Sequence, residues 1–286
     1  MLIVMSSSSA LTRRTFLRTL ALGACLYPAS RTLAAMGREF GLHPATPGGA
    51  SLMDLPSGPL TNPPVMLPPF HSAVVNTPHL ALTFDDGPHG TLTPRLLDLL
   101  AQRNVKATFY VIGRNVEAHP EIARRIVAEG HEIANHTFTH PALSGLPSAR
   151  VAEEINRTHE TVLEVTGVRM TNLRPPYGAF NDQVRKVAFD GHGYDTIMWS
   201  VDPLDWKFRN AARVTRELVS GAAPGAVLLC HDIHKSTIAA MPETLDQLLA
   251  RGFQFATVAQ LMAMDNSGRQ DLNLRPPGPK PGALPS

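Results

Sequence analysis

Short apolar runs alternate with longer amphipathic segments along residues 79–264. The runs are rich in β-branched and aromatic residues, which favours buried strands, whereas the longer segments repeat apolar positions every three or four residues, which favours helices. Strand-like runs cover 79–84, 106–112, 131–137, 170–176, 194–201, 226–232 and 253–258. Helix-like segments cover 93–104, 120–130, 148–167, 181–193, 211–221 and 244–252. This alternation predicts an α/β fold with a parallel sheet, either an open doubly wound sheet or a small closed barrel.

The periodic pattern stops on both sides of this stretch. Residues 36–78 are rich in proline and glycine, and Asp54 is the one charged residue between 41 and 78. Such a composition predicts a linker or a wrapped arm without a fold of its own. Residues 265–286 show no periodic apolar face. We therefore predict a disordered tail there.

Residues 1–35 carry the features of an export signal. The paired arginines of TRRTFLR, at 12–18, precede a modest apolar stretch and small residues that end at Ala34 and Ala35. This arrangement resembles the twin-arginine signal, so we expect export to the periplasm or cell envelope. The sequence LGAC at 22–25 also resembles a lipoprotein cleavage box. A lipid anchor on Cys25 is therefore an alternative to a plain signal peptide.

Composition and charge restrict the function further. Apolar residues make up 43% of the chain and charged residues 17%, which indicates a globular core. The formal net charge is +2, but residues 1–34 contain four arginines and no acid, so the remainder carries −2. A mildly acidic mature chain gives no electrostatic support for nucleic-acid binding. Without the signal, Cys230 is the single cysteine, so we expect no intramolecular disulfide.

Two adjacent carboxylates, Asp85 and Asp86, follow the first predicted strand in TFDDGP at 83–88. Gly87 and Pro88 favour a turn, which would fix both side chains at the carboxyl end of the strand. Adjacent like charges are costly, because each raises the pKa of the other. The sequence therefore predicts either a plain turn or a site in which the two carboxylates have different tasks.

The third strand ends in HTFTH at 136–140. His136 and His140 are four residues apart and can present both imidazoles on one face, which suits a divalent metal. The H-E-x-x-H metalloprotease motif is excluded, because Thr137 follows the first histidine. A structural or solvent-facing pair is the alternative. With Asp86 the histidines make a two-histidine, one-carboxylate set that leaves coordination positions open.

Three more strand ends carry polar groups, at RPPYG 174–178, DPLDW 202–206 and LCHDIH 229–234. Arg174 could orient a carboxylate, and the backbone N–H of Tyr177 could donate to an oxyanion. An aspartate near a histidine raises its pKa and makes it a general acid, the role that we assign to His231. Trp206 is predicted to wall the site, with plain core packing as the alternative.

These groups together predict metal-assisted hydrolysis of an amide or an ester. A metal held by Asp86, His136 and His140 would lower the pKa of a bound water and polarise a carbonyl. Asp85 would take the proton of the water as general base. His231 would then protonate the leaving group.

The motifs resemble those of the NodB-type polysaccharide deacetylases, carbohydrate esterase family four. TFDDGP, HTFTH, RPPYG, DPLDW and LCH occur in the order of that family across 79–264. The resemblance implies a distorted (β/α)7 barrel over 79–264, to which the sequence patterns add an unstructured signal and linker before it and a tail after it. It also implies removal of acetyl groups from N-acetylglucosamine-containing polysaccharide, such as peptidoglycan, chitin oligomers or poly-N-acetylglucosamine.

The resemblance further implies a role for each motif residue. It makes Asp85 the base, with Arg174 as its orienting partner. It makes Asp205 the residue that tunes the acid, His231, and it assigns Leu229 to the pocket for the acetyl methyl group. The metal ligands and the oxyanion donor are the residues already named.

Several alternatives stay open at this level. His234, the second histidine of HDIH, competes for the acid role, and Cys230 is expected to pack in the core because strand neighbours point to opposite faces. The metal set accepts zinc, with cobalt, nickel or manganese as alternatives. An O-acetyl esterase acting on acetylated xylan and a glycan-binding protein without turnover are the alternative functions. No pattern predicts the oligomeric state.

Overall fold

A computed structural model describes residues 65–268. The predicted signal peptide, Cys25, residues 36–64 of the predicted linker and residues 269–286 of the predicted tail lie outside the described residues. None of the described helices combines the length and the apolar character that crossing a membrane requires.

Seven parallel strands form the sheet of the described residues, as the sequence predicts. They are β1 His79–Asp85, β2 Thr108–Val111, β3 Glu132–Asn135, β4 Asn172–Leu173, β5 Asp195–Thr196, β6 Val227–His231 and β7 Gln254–Ala256. Their order is β5-β4-β3-β2-β1-β6, and β7 pairs with the first residues of β1. The prediction of a parallel α/β fold is confirmed.

Helices connect the strands along the chain, and a last helix follows β7. They are α1 Leu92–Gln102, α2 Gly113–Ala118, α3 Pro120–Ala128, α4 Ser148–Thr166, α5 Asp182–His192, α6 Asp205–Phe208, α7 Ala211–Gly221, α8 Lys235–Ala250 and α9 Val258–Ala263. The six predicted helices correspond to α1, α3, α4, α5, α7 and the second half of α8. The helices α2, α6 and α9, none longer than six residues, were not predicted.

The central strand β1 separates two apolar layers by its alternation. Leu80, Leu82 and Phe84 point outward and pack with the helices in the larger core. Ala81 belongs to a second, inner cluster. Because successive side chains of a strand face opposite sides, Asp85 follows Ala81 on the inner face at the carboxyl end of β1.

Residues 70–75, which we call the closing segment, join the two edges of the sheet. The Phe70 N–H donates to the Thr196 carbonyl at 2.9 Å, and the Phe70 carbonyl accepts from the Met198 N–H at 2.7 Å. The Ala73 N–H donates to the Gly225 carbonyl, just before β6, at 2.9 Å. The sheet therefore closes into the distorted (β/α)7 barrel that the resemblance implies. Of the two alternatives predicted for residues 36–78, a linker or a wrapped arm, the hydrogen bonds of this segment correspond to the wrapped arm.

The carboxyl end of the domain also extends further than predicted. The Val74 N–H donates to Asp265 Oδ1 at 2.9 Å, and the Asn266 N–H donates to the Val74 carbonyl at 2.8 Å. Asp265 is buried. Residues 265 and 266 therefore belong to the packed domain rather than to a disordered tail.

Candidate active site

The register of the sheet brings the polar strand ends to one place. Asp85 at the end of β1 pairs across the sheet with Tyr110 of β2 on one side and with His231 of β6 on the other. Asn135, which precedes the HTFTH motif, pairs with Leu173, which precedes RPPYG. Because all these strands are parallel, the four motifs meet at the carboxyl end of the barrel.

Asp85 is buried against a buried arginine. Arg174 Nη1 donates to Asp85 Oδ1 at 2.7 Å and to Thr83 Oγ1 at 2.7 Å, and its Nη2 donates to the Met198 carbonyl at 2.9 Å. The guanidinium carbon also lies 4.0 Å from the centre of the Tyr110 ring. These contacts fix the guanidinium, so it can hold one oxygen of Asp85 while the other remains directed at the cavity.

Asp86 turns away from its neighbour because its backbone is left-handed, with a φ of 75°. Asn115 Nδ2 donates to the Asp86 carbonyl at 2.7 Å and holds this turn from α2. The next residue must be Gly87, since a Cβ there would overlap the Asp232 carboxylate. Asp232 is fully buried and accepts a hydrogen bond from Thr93, and burial raises its pKa to about 7.

Asp86, His136 and His140 form a cluster whose candidate ligand atoms all lie within 4.8 Å of one another. Asp86 Oδ1 is 3.1 Å from His140 Nε2 and 3.5 Å from His136 Nε2. This buried oxygen has no hydrogen bond of good geometry. An unpaired acceptor between two imidazole nitrogens fits a divalent cation, and the donor set of two histidines and a carboxylate suits zinc.

The other nitrogen of each imidazole is also held. His136 Nδ1 lies 2.6 Å from the Arg174 carbonyl, an acceptor that requires the proton on Nδ1 and leaves Nε2 free for the cation. His140 Nδ1 lies 3.1 Å from the Tyr177 hydroxyl. The Tyr177 side chain thus supports a candidate ligand, a contact that the sequence did not predict.

Tyr177 lies in the short 3-10 turn Pro176–Gly178 and has a left-handed backbone, with a φ of 59°. Its side chain is 72% exposed. Its predicted role, backbone donation to an oxyanion, stays a prediction.

His231 is paired with a fully buried aspartate. Its Nδ1 lies 2.7 Å from Asp205 Oδ1, and its backbone N–H donates to Asp205 Oδ2 at 2.9 Å. Thr237 Oγ1 also donates to Asp205 Oδ2, at 2.6 Å. Burial lowers the pKa of His231, but the hydrogen bond and charge of Asp205 more than offset this and raise it to about 9. A histidine that stays protonated at neutral pH is suited to act as an acid.

The competing histidine lies farther from this pair. The ring of His234 has its centre 5.8 Å from that of His231. Burial and the nearby charge of Arg209 lower the pKa of His234, which is the opposite of what an acid needs. Cys230 is fully buried in the outer core, as its place in β6 requires.

One cavity of about 500 Å³ joins these groups. It is lined by eight of the predicted residues: Asp85, Asp86, His136, His140, Tyr177, Trp206, Leu229 and His231. The other two, Arg174 and Asp205, lie fully buried behind it. Trp206 is 48% exposed, so it lies at the mouth of the cavity and not in the core.

The sequence assigned no role to several residues around the cavity, including Asp202, which begins the DPLDW motif. Trp199 and Asp202 line the cavity, and Thr237 and Asn115 hold catalytic candidates from outside the motifs. Asp202 and Trp199 lie within or beside a predicted strand end, so position along the chain could have indicated them. Nothing in the sequence singles out Thr237 or Asn115, because their contacts come from the folding of distant segments.

Comparison with known proteins assigns the family. The family model "Polysaccharide deacetylase" matches residues 73–197. The chitooligosaccharide deacetylase of Rhizobium leguminosarum bv. trifolii is 34% identical over 207 residues, which cover 67% of this chain and 95% of that protein. The chain belongs to the polysaccharide deacetylase family.

Two further relatives show the range within the polysaccharide deacetylase family. The peptidoglycan-N-acetylglucosamine deacetylase PgdA of Listeria monocytogenes is 44% identical over 182 residues, which cover 64% of this chain but only 38% of that protein. This chain therefore spans less than half the length of that relative. The structure of BA3943, a CE4 family pseudoenzyme from Bacillus anthracis, is 29% identical with a TM-score of 0.65 and covers 69% of this chain and 70% of that one. The polysaccharide deacetylase fold alone therefore does not decide whether a member of the family is catalytically active.

Proposed function

We propose that the chain is a zinc-dependent hydrolase that removes N-acetyl groups from a polysaccharide containing N-acetylglucosamine. The observation that carries the proposal is that a carboxylate and a histidine, each held by its own buried partner, lie beside the cluster of Asp86, His136 and His140. Asp85 is held by buried Arg174, and His231 is held by buried Asp205. Hydrolysis of an amide needs both a base and an acid, whereas binding a glycan needs neither.

The base side of the reaction belongs to Asp85. When bound by Asp86, His136 and His140, a divalent cation supplies a water of lowered pKa and polarises the acetyl carbonyl. Asp85 takes the proton as the water oxygen bonds to the carbonyl carbon. Arg174 keeps the carboxylate oriented while it does so.

The acid side belongs to His231. As the carbon–nitrogen bond breaks, protonated His231 gives its proton to the departing amine of the sugar, and Asp205 stabilises the protonated ring beforehand. The backbone N–H of Tyr177 donates to the oxygen of the tetrahedral intermediate. Leu229 packs against the acetyl methyl group, which favours acetate over larger acyl groups.

A polymeric substrate is supported by the exposed aromatic side chains at the mouth. Tyr177 and Trp206 both line the cavity and are partly exposed to solvent. Aromatic faces at a groove offer apolar area to sugar rings on either side of the reacting unit. Peptidoglycan, chitin oligomers and poly-N-acetylglucosamine all present such rings, and the related proteins act, by their names, on peptidoglycan or chitooligosaccharides.

An acetate-release assay tests the proposed function. The purified protein is loaded with zinc, cobalt, nickel or manganese and incubated with peptidoglycan, chitin oligomers, poly-N-acetylglucosamine and acetylated xylan. We expect acetate from an N-acetylated glycan and none after removal of the metal with a chelator. Release from acetylated xylan alone would assign an O-acetyl esterase instead. Glycan binding without acetate release from any substrate would assign a non-catalytic protein.

We also propose export by the twin-arginine route, which rests on the sequence TRRTFLR alone. Replacement of Arg13 and Arg14 by lysine should retain the full-length precursor inside the cell. Cell fractionation measures the export of that variant, and unchanged export would exclude the route. Mass spectrometry of the mature amino terminus separates cleavage after Ala34 or Ala35 from lipidation of Cys25.

A further inference from the structure

The loop that carries both candidate histidine ligands has a strained backbone. Thr137 and His140 have φ values of 67° and 68°, in the left-handed region. For a residue with a side chain this conformation costs roughly 1–2 kcal/mol. The strain bends the loop so that His136 Nε2 and His140 Nε2 both face Asp86. Something outside the loop must hold it in this shape.

Three of the five backbone N–H groups of residues 136–140 are bonded within the loop and its neighbouring strands. The His136 N–H donates to the Val111 carbonyl at 3.0 Å, and the Thr137 N–H donates to Asn135 Oδ1 at 2.8 Å. The His140 N–H donates to Thr137 Oγ1 at 3.1 Å. These bonds fix the two ends of the loop and leave its middle to another partner.

That partner is Glu154 of α4. Its Oε2 accepts from the Phe138 N–H at 2.9 Å and from the Thr139 N–H at 2.7 Å, while its Oε1 accepts from Thr139 Oγ1 at 2.7 Å. Glu154 is buried. A buried carboxylate is expensive unless its oxygens are bonded. Here the hydrogen bonds of the Glu154 side chain go to Phe138 and Thr139, two of the three residues between the candidate ligands.

The anchor of this carboxylate is rigid. Glu154 lies in the 19-residue helix α4, and its carbonyl accepts from Thr158 Oγ1 at 2.9 Å. Arg157, also in α4, stacks its guanidinium 3.5 Å from the centre of the Phe138 ring. From α2, the Gly113 N–H donates to the Thr137 carbonyl at 3.0 Å. The loop is clamped between α2 and α4.

We propose that Glu154 is a positioning residue that sets the separation of His136 and His140 and thereby the affinity of the site for a divalent cation. It touches neither the cation cluster nor the cavity, and it acts through the backbone of Phe138 and Thr139. This inference rests on the metal site of the proposed function.

The test measures zinc affinity by competition with a chelator, alongside the melting temperature of the metal-free protein and the visible spectrum of the cobalt form. Removal of outer groups that orient metal ligands lowers affinity about 10–100-fold, and we expect this range for Glu154→Ala. Glu154→Gln should stay within about threefold of wild type, because its amide oxygen can accept both N–H groups while its NH₂ donates to Thr139 Oγ1. The cobalt spectrum should change in the alanine variant and not in the glutamine variant.

The neighbouring Glu153 provides the matched control. It lies on the same helix, is exposed and pairs with Arg150 at the surface. Glu153→Ala should leave zinc affinity unchanged. If Glu154→Ala does not fold, Glu154→Asp replaces it, since it keeps the charge but is one methylene too short to reach the loop, and it should bind zinc about tenfold more weakly.

Two results would overturn the inference. The first is wild-type zinc affinity in Glu154→Ala or, where that variant does not fold, in Glu154→Asp. The second is a Glu154→Gln variant as weak as the alanine variant, which would assign the effect to charge and not to position. If the wild-type protein itself binds no divalent metal, the proposed function fails, and this outcome is distinct from both.

Discussion

At the scale of single residues, two neighbouring aspartates have different surroundings. Asp85 has a fully buried arginine as its partner, whereas Asp86 faces two imidazoles through a left-handed turn. Burial raises the pKa of Asp86, but His136 and His140 lower it below its usual range. The repulsion between the two adjacent carboxylates is therefore offset by two separate sets of positive or proton-donating groups.

This division predicts unequal effects of removing each charge. Asp86→Asn should weaken zinc binding more than about 100-fold, because it removes a ligand and not merely an outer group. Asp85→Asn should keep zinc binding and lower kcat by about 10²–10⁴, the usual contribution of a general base. Chelator competition and acetate release measure the two quantities on the same preparations.

An exposed aspartate serves as the control for both variants. Asp182→Asn, on the surface of α5, should change neither quantity. Equal loss of zinc binding in Asp85→Asn and Asp86→Asn would contradict separate roles for the two carboxylates.

Because His231 is paired with Asp205, we expect activity to fall on the basic side of the pH profile, which we call the basic limb. Its pKa is raised from 6.5 to about 9, so the acid form persists through neutral pH and is lost as the pH rises through about 9. We expect kcat/KM for acetate release to fall above that pH. The same sign holds for stability: the contribution of the protonated pair is fully present below pH 6.5 and is lost as the pH rises through about 9.

Asp205→Asn identifies the group responsible for this limb. Without the carboxylate the limb should move to lower pH and the rate at neutral pH should fall. His234→Gln should leave the limb in place. A limb that moves with His234 and not with Asp205 would assign the acid to His234.

At the scale of elements, the sequence predicts strands better than helices. All seven strands were predicted, because each is a short apolar run between turn residues. β4 and β5 are nonetheless only two residues long, since prolines follow β4 and the chain after β5 pairs with the closing segment instead of extending the ladder. The first half of α8 was missed because Pro242, which usually ends a helix, lies inside it.

The residues of the candidate site also fall into two groups, those that the sequence predicts and those that it does not. Its motif residues could be predicted, because polar groups at the ends of parallel strands converge whatever the details of the fold. Glu154 and Thr237 could not, because each lies on a helix face whose direction depends on packing. A buried glutamate in an amphipathic helix has the same sequence signature as an exposed one.

Gly225 provides a test of the contact between β6 and the closing segment. Its φ is 80°, and a Cβ there would overlap the Ala73 carbonyl oxygen. Gly225→Ala should therefore destabilise the protein by roughly 3 kcal/mol or more, the sum of backbone strain and displacement of the segment. For a domain of this size that corresponds to a fall in Tm of about 6–12 °C.

Gly167 provides a control that separates the cost of backbone strain from the cost of displacing the closing segment. It ends α4 with a φ of 73°, but a Cβ there would meet nothing within 4 Å. Gly167→Ala should cost about 1 kcal/mol, from backbone strain alone. Equal losses of Tm in the two variants would mean that the closing segment contributes nothing to the stability of the barrel.

At the scale of the whole described domain, the closing segment explains why the sequence set the boundary too late. Its residues have no periodicity and lie among prolines, so composition indicates a linker or a wrapped arm and does not separate the two. Its function in the fold comes from backbone hydrogen bonds to Thr196, Met198 and Gly225, and backbone bonding leaves little trace in residue type. Phe70 and Ala73 are the buried side chains of the segment, and both belong to the inner cluster.

The hydrogen bonds between Val74 and the pair Asp265 and Asn266 join segments near the two ends of the described domain. Val74 belongs to the closing segment before β1, whereas Asp265 and Asn266 follow α9, so the whole alternation of strands and helices lies between them along the chain. Opening of one segment breaks hydrogen bonds of the other, so the two should open as one cooperative unit.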